Sequence, residues 1–156
     1  MFMSTLLLIG TLFLALFVGV LFAAGLAISP SLNKLDATNY TVVKQAQIKI
    51  LQIAMSGIST VYMILALVGA FQVRGEGLNT VANLTFWGVG LIALALAYSG
   101  FTDIPYNQAI LKWNPKSPPK DWAKMRDAWD LANYVRTVPS LVALVLQLMA
   151  LVVLGK

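Results

Sequence analysis

Long apolar runs alternate with short polar intervals along this chain, and the runs are too long to be strands. They cover residues 4–28, 50–73, 81–102 and 137–154. A helix rises about 1.5 Å per residue, so a run of roughly 20 residues crosses a hydrocarbon core of ~30 Å. The pattern predicts an all-α fold, a four-transmembrane-helix bundle in a single domain over residues 1–156. The first run holds no charge, and Ala23-Ala24 offers small residues of the kind found at signal-peptide cleavage points. No Lys or Arg precedes it, so it is expected to remain as a helix. Only Arg74-Gly75-Glu76-Gly77 and a few further residues separate the second and third runs, which should therefore be antiparallel neighbours. Ala15, Gly19, Ala23 and Ala27 in the first run, and Gly88, Gly90, Ala93 and Ala97 in the third, form small-residue stripes suited to close helix packing.

The polar intervals carry helical signals of their own. Nothing breaks a helix between Asp36 and the second run, and Asp36 or Thr38 can cap it. Ser117-Pro118-Pro119 reads as a cap with first-turn prolines, so the fourth helix is expected to start near Pro118 and to kink at Pro139. Helices two and four should thus extend beyond the membrane, forming a helical cap over 36–49 and 103–136. Ser29-Pro30-Ser31-Leu32-Asn33 after the first run matches Asp103-Ile104-Pro105-Tyr106-Asn107 after the third, which suggests a duplicated helical hairpin.

Both extensions bear a polar line at helical spacing. In helix two it is Gln45, Lys49, Gln52, Ser56 and Thr60; in helix four it is Asn133, Arg136, Thr137, Ser140 and, deeper, Gln147. Thr102, Asp103 and Asn107 end the third run at the same level. Lipid satisfies none of these groups, so they are expected to converge on a pocket. Asp103 and Arg136 are candidate catalytic residues; Asn107, Trp129, Asn133, Thr137, Lys49 and Gln52 are candidate substrate-binding residues. Trp129 sits four residues before Asn133 and seven before Arg136, on the polar face, where it can wall a planar ligand with Tyr106 and Tyr134. The plain alternatives are a snorkelling Lys49, a structural Asp103–Arg136 ion pair, interfacial anchoring by Trp113 and Trp122, and an interhelical hydrogen bond for Gln147.

Composition narrows the chemistry. With 59% hydrophobic and 11% charged residues and a mean hydropathy of +0.79, the chain is far from a soluble domain, where about a quarter of residues are charged. There is no Cys and no His, which removes thiol chemistry, the commonest metal ligand and the usual general base. No metal or other cofactor is expected, nor a nucleic-acid partner, because the net charge of +5 lies in two inter-helix segments rather than in a patch. Those segments hold nine of the eleven Lys and Arg residues, leaving only Arg74 and Lys156 on the other side. That asymmetry predicts a plasma-membrane protein with both termini outside and residues 103–136 in the cytoplasm.

Asp103-Ile104-Pro105-Tyr106-Asn107, followed by Trp129-x-x-x-Asn133-x-x-Arg136-Thr137, resembles the anthrone-oxygenase-like family of small integral membrane proteins. The likeness extends to Pro30 with Leu35-Asp36 and to the Trp-rich approach through Trp122. The family's pattern near Pro105 is Asn-x-Pro-x-Asn, from which Asp103 departs. The resemblance implies a cofactor-independent oxygenase acting on a lipophilic aromatic with molecular oxygen. Asp103 would then be the base, Arg136 the oxyanion partner, and Asn107 and Asn133 orienting groups. A non-catalytic helical subunit or lipid-binding partner of a larger membrane complex, with a protein partner or a second copy, is the competing expectation. A small exporter is a third, disfavoured because spans one, two and four hold no carboxylate.

Overall fold

The computed structural model describes residues 2–155. Helix α1 spans Phe2–Ala23 and passes through a π-helical turn, Ala24–Ile28, into the short α2, Ser29–Leu32. The long α3 follows over Ala37–Gly75, then α4 over Asn79–Phe101, α5 over Asp103–Leu111 and α6 over Trp122–Leu154. Four of the described helical stretches are long and apolar enough to cross a membrane: Ser4–Leu32, Ala37–Gly75, Asn79–Leu111 and Trp122–Leu154. The protein is an integral membrane protein built as an all-α four-helix bundle.

Local chemistry sets the element ends. Asp36 is extended, and its carboxylate accepts the Asn39 backbone N–H at 2.9 Å and the Asn39 side-chain amide at 2.7 Å. One of the donors orphaned at the start of α3 is thereby satisfied, and the bonds from Asn39 hold the Asp36 carboxyl below the ordinary carboxylate range. At the far end the chain reverses through Glu76–Leu78, where Gly77 takes φ +79°, a conformation that favours glycine. Between α4 and α5, Thr102 leaves helical geometry (φ −123°, ψ −78°), which puts the Asp103 carboxylate in the first turn of a new helix. Negative charge is favoured there by the helix dipole.

Among the four long helices each packs on two others, α1 and α4 both lying between α3 and α6. The directions alternate: Gly10 of α1 meets Leu65 and Ala66 of α3, while Gly88 of α4 meets Ala143 of α6. Leu14, Phe17, Val18, Leu21, Tyr62, Ala66, Val89, Ile92 and Ala143 fill the middle of the bundle. Leu7, Val73, Val81, Ala82 and Ala150 close the end near the α3–α4 turn.

Several expectations are corrected. The small-residue stripe of the first span is not a packing surface inside the bundle: Ala15, Gly19, Ala23 and Ala27 are all exposed, as are Gly90, Ala93 and Ala97. Lipid accepts small and large apolar side chains alike, so size does not decide facing: Leu12, Leu16 and Phe22 share the outer surface with this stripe, while Ala66, Ala82 and Ala143 are buried. Close approach occurs instead at Gly69, where an added Cβ would lie 2.7 Å from Leu7 Cδ2, and at Gly25 and Gly88. Helix α6 starts at Trp122 rather than near Pro118, because the two prolines fall in the turn after the Asn114–Ser117 bridge. Pro139 lies inside the helix, as expected. Gln147 makes no interhelical hydrogen bond; both its amide atoms are buried without a partner. The hairpin likeness has a topological counterpart, since each half breaks its first helix (at Ala24–Ile28 and at Thr102) before a loop and a longer helix.

Candidate functional site

At the end opposite the α3–α4 turn, the four helices spread around a cavity of about 260 Å³. Its wall towards the bundle centre is apolar, formed by Phe17, Leu21, Leu51, Met55 and Leu96. Its other end is polar. Lys44 and Gln47 come from α3, Ser99 from α4, Asp103 and Asn107 from α5, and Trp129, Asn133 and Arg136 from α6.

The polar groups form a connected set. Arg136 Nη1 lies 3.4 Å from Asp103 Oδ2 and donates to Ser99 Oγ at 3.3 Å, while its Nη2 donates to Asn133 Oδ1 at 3.1 Å. Asn133 Nδ2 in turn donates to the Leu21 carbonyl at 3.3 Å, across to α1. Trp129 Nε1 donates to Asn107 Oδ1 at 2.9 Å, and the Trp129 ring carries the Lys44 ammonium 3.0 Å from its centroid. Thr102 Oγ1 reaches Asp103 Oδ2 at 3.3 Å. The pairings leave Asp103 Oδ1, Arg136 Nε and Gln47 Oε1 buried without a partner. Buried polar atoms are normally satisfied, so three such atoms around one cavity mark a place where a ligand or water completes the bonding.

Burial gives these contacts weight. Asp103 is 2% exposed and Lys44 1% exposed, so neither charge is shielded by bulk solvent. In such surroundings electrostatic interactions are much stronger than at a surface. The lining holds two cations and one carboxylate, a surplus of one positive charge.

Among the predicted site residues, the cavity gathers Asp103, Arg136, Asn107, Trp129, Asn133 and Gln52. Two fall outside it. Thr137 donates its hydroxyl to the Asn133 carbonyl at 2.6 Å, one turn back along α6, which ties it to its own helix. Lys49 is exposed and lines only a shallow hollow outside the bundle, with Ile48, Gln52, Ile53, Ser56 and Leu111. Tyr106 and Tyr134 do not wall the cavity either; Tyr134 Oη donates to the Gly25 carbonyl at 2.9 Å on the opposite flank. The polar line of helix two divides as well, for Gln45 donates to the Ile110 and Trp113 carbonyls and so fastens α5 and its loop to α3.

Lys44 and Gln47 are the residues the sequence reading missed. The inward face of α3 runs through Tyr40, Lys44, Gln47, Ile48, Leu51 and Met55, one position away from the predicted polar line. The signal was present: Lys44 continues an apolar row at helical spacing, so it had to share the inward direction of Ile48 and Leu51.

The shallow hollow shares Ile48, Gln52 and Ser56 with the cavity. The mouth therefore lies between α3 and α5, on the flank of the bundle. Ile104, 39% exposed, stands beside it. No family model, curated protein or solved structure matches the chain.

Proposed function

We propose that this protein is a cofactor-independent oxygenase of a lipophilic aromatic substrate that enters the cavity from the bilayer. One observation carries the reading: an apolar cavity, open on the flank of a membrane bundle, ends in a buried carboxylate with one free oxygen beside a guanidinium. The resemblance around Pro105 and Arg136 supplies the reaction class. In an anthrone, the CH₂ between the rings is acidic, because loss of a proton leaves an anion delocalised on to the ring oxygen. Asp103 Oδ1 accepts that proton, and Arg136 steadies the negative oxygen. Molecular oxygen then takes an electron pair from the carbanion and forms a C–O bond. The resulting peroxide anion takes the proton back from Asp103 to give a hydroperoxide. Asp103 then removes the second C–H proton as the O–O bond breaks, and the departing hydroxide takes up that proton as water, leaving the quinone carbonyl. One O₂ and one CH₂ thus become one C=O and one H₂O, with no outside reductant. Asn107, Asn133 and Trp129 orient the ring system, and Gln52 stands at the entrance.

The test is oxygen uptake with dithranol by the purified chain, without added metal or flavin. The parent should exceed the spontaneous rate, and Asp103→Asn should lower the excess by roughly 10²–10⁴-fold, the range for a lost acid–base group. A variant as active as the parent removes Asp103 from the role of base. If neither exceeds the spontaneous rate while another protein co-purifies, the chain is a non-catalytic subunit of a membrane complex.

The same reading sets the protein in the plasma membrane with both termini outside and the cavity near the cytoplasmic face, supported by the nine Lys and Arg of the two inter-helix segments. Lys116→Cys in this Cys-free chain should resist an impermeant maleimide in intact cells, whereas Glu76→Cys should label. The reverse pattern would invert the topology.

A further inference from the structure

The cavity's surplus charge belongs to one residue. Asp103 is already engaged by Arg136, at 3.4 Å, and among the described residues Lys44 pairs with no carboxylate. A buried ammonium with no carboxylate in ion-pair contact is unfavourable; the charge of Asp130, outside that distance and outside the cavity lining, and the face of Trp129 offset only part of that. The remaining bonding capacity is specific. The Lys44 ammonium and Arg136 Nε can donate, while Asp103 Oδ1 and Gln47 Oε1 can accept, and all four side chains line the same space. A neutral hydrocarbon would leave every one of these groups unsatisfied. A cationic amphiphile would add to the surplus charge. A simple carboxylate would answer the cations and leave both acceptors bare.

We propose that the cavity takes its ligand as a monoanion: a lipophilic polyphenol whose ionised oxygen lies against Lys44 and Arg136, with a neighbouring hydroxyl donating to Gln47 Oε1, which leaves Asp103 Oδ1 free for the CH₂ proton. This rests on the cavity being the ligand site described above and adds the ligand's charge state and the residue that selects it. Lys44 acts on specificity, because it favours a phenol that has already lost its proton. Binding in that form raises the electron density of the ring system before oxygen arrives, and the phenol's proton leaves to solvent as the ligand binds.

The probe is 1,8-dihydroxyanthraquinone, whose neutral and ionised forms absorb at different wavelengths. It is titrated with the full chain in lipid nanodiscs, at a pH where the free dye is neutral. The expected result is a saturable shift to the spectrum of the ionised dye. Lys44→Met should lower the ionised fraction about tenfold, the change that one pK unit makes, while the dye still binds and quenches Trp129. Lys44→Arg should restore the shift, and Lys124→Met, exposed and away from both the cavity and its mouth, should leave it unchanged. Should Lys44→Met fail to fold, the parent spectrum and the Lys44→Arg variant still decide. Dye bound in its neutral form, no binding at all, or an undiminished shift in Lys44→Met would each overturn the proposal. Oxygen uptake separates it from the reading above. An ionised dye without catalysis leaves the monoanion site standing and removes the oxygenase, and catalysis with a neutral dye does the opposite.

Discussion

Near the α3–α4 turn, Leu7 of α1 presses on Gly69 of α3, and Val73, Val81, Ala82 and Ala150 complete a dry plug. At the other end the same helices are kept apart by long polar side chains, and Lys44, Gln47, Asn133 and Arg136 stand where the plug has small apolar ones. The difference is in how each end holds its helices together. In a bilayer apolar packing only replaces lipid contacts, so the closed end gains little beyond close van der Waals fit. The open end is tied by directed bonds: Arg136 to Asp103, Asn133 to Leu21, Tyr134 to Gly25 and Gln45 to Ile110. Here the hollow lies at the end where such bonds replace packing.

Arg136→Ala should break the contrast most severely. It strips Asp103 of its cation and leaves a buried carboxylate unpaired, at a cost of about 3–5 kcal/mol. Melting in detergent should fall clearly below that of Lys124→Ala, an exposed change expected to stay within about 0.5 kcal/mol. Equal small losses from both would mean that the ion pair does not hold the open end.

Leu7→Ala probes the plug. Leu7 is fully buried, and its removal leaves a void between α1 and α3. The loss should be about 2 kcal/mol, at the low end for a buried Leu because the alternative to the core is lipid rather than water. A loss above that of Arg136→Ala in the same detergent would reverse the ranking of the two ends.

The smallest effect belongs to the start of α3. Asn39 holds the Asp36 carboxyl below its ordinary range, so the folded state favours the ionised form. That contribution is fully present above the unfolded value and disappears as pH falls through the lower folded value. The protection of the Asn39 amide, its exchange rate relative to the unfolded chain at the same pH, should fall on acidification in the parent, and Asp36→Ala should show little protection at any pH. A pH-independent protection in the parent would show that the cap does not depend on the charge.

The spans were legible because charge and lipid exclude one another, which makes 4–28 or 137–154 stand out in any order of reading. So was the Asp103–Arg136 pairing, since both residues lie where a run ends and neither can face hydrocarbon. Facing was harder to read. In a soluble helix polar residues point outward, and by that rule Gln45 to Thr60 reads as a face of its own. In a membrane bundle either face can be polar, and the inward one mixes types, with Lys44 beside Ile48 and Leu51. Thr137 misled for a related reason. A hydroxyl that bonds its own helix one turn back looks, in sequence, like one offered to a ligand.

The π-helical turn at Ala24–Ile28 has a consequence of another kind. There the Ser29 N–H reaches back to the Ala24 carbonyl, five residues away, so the turn accommodates one residue more than an α-turn would. That extra residue acts as a spacer in the winding. It lets the chain after Ile28 rotate relative to Leu14, Phe17 and Leu21, so the Pro30 segment takes its own bearing without disturbing the rows that fill the core. Excising a single residue from this turn should therefore swing Ser29–Leu32 around the axis by about one α-helical step, close to 100°, while the bundle upstream keeps its register.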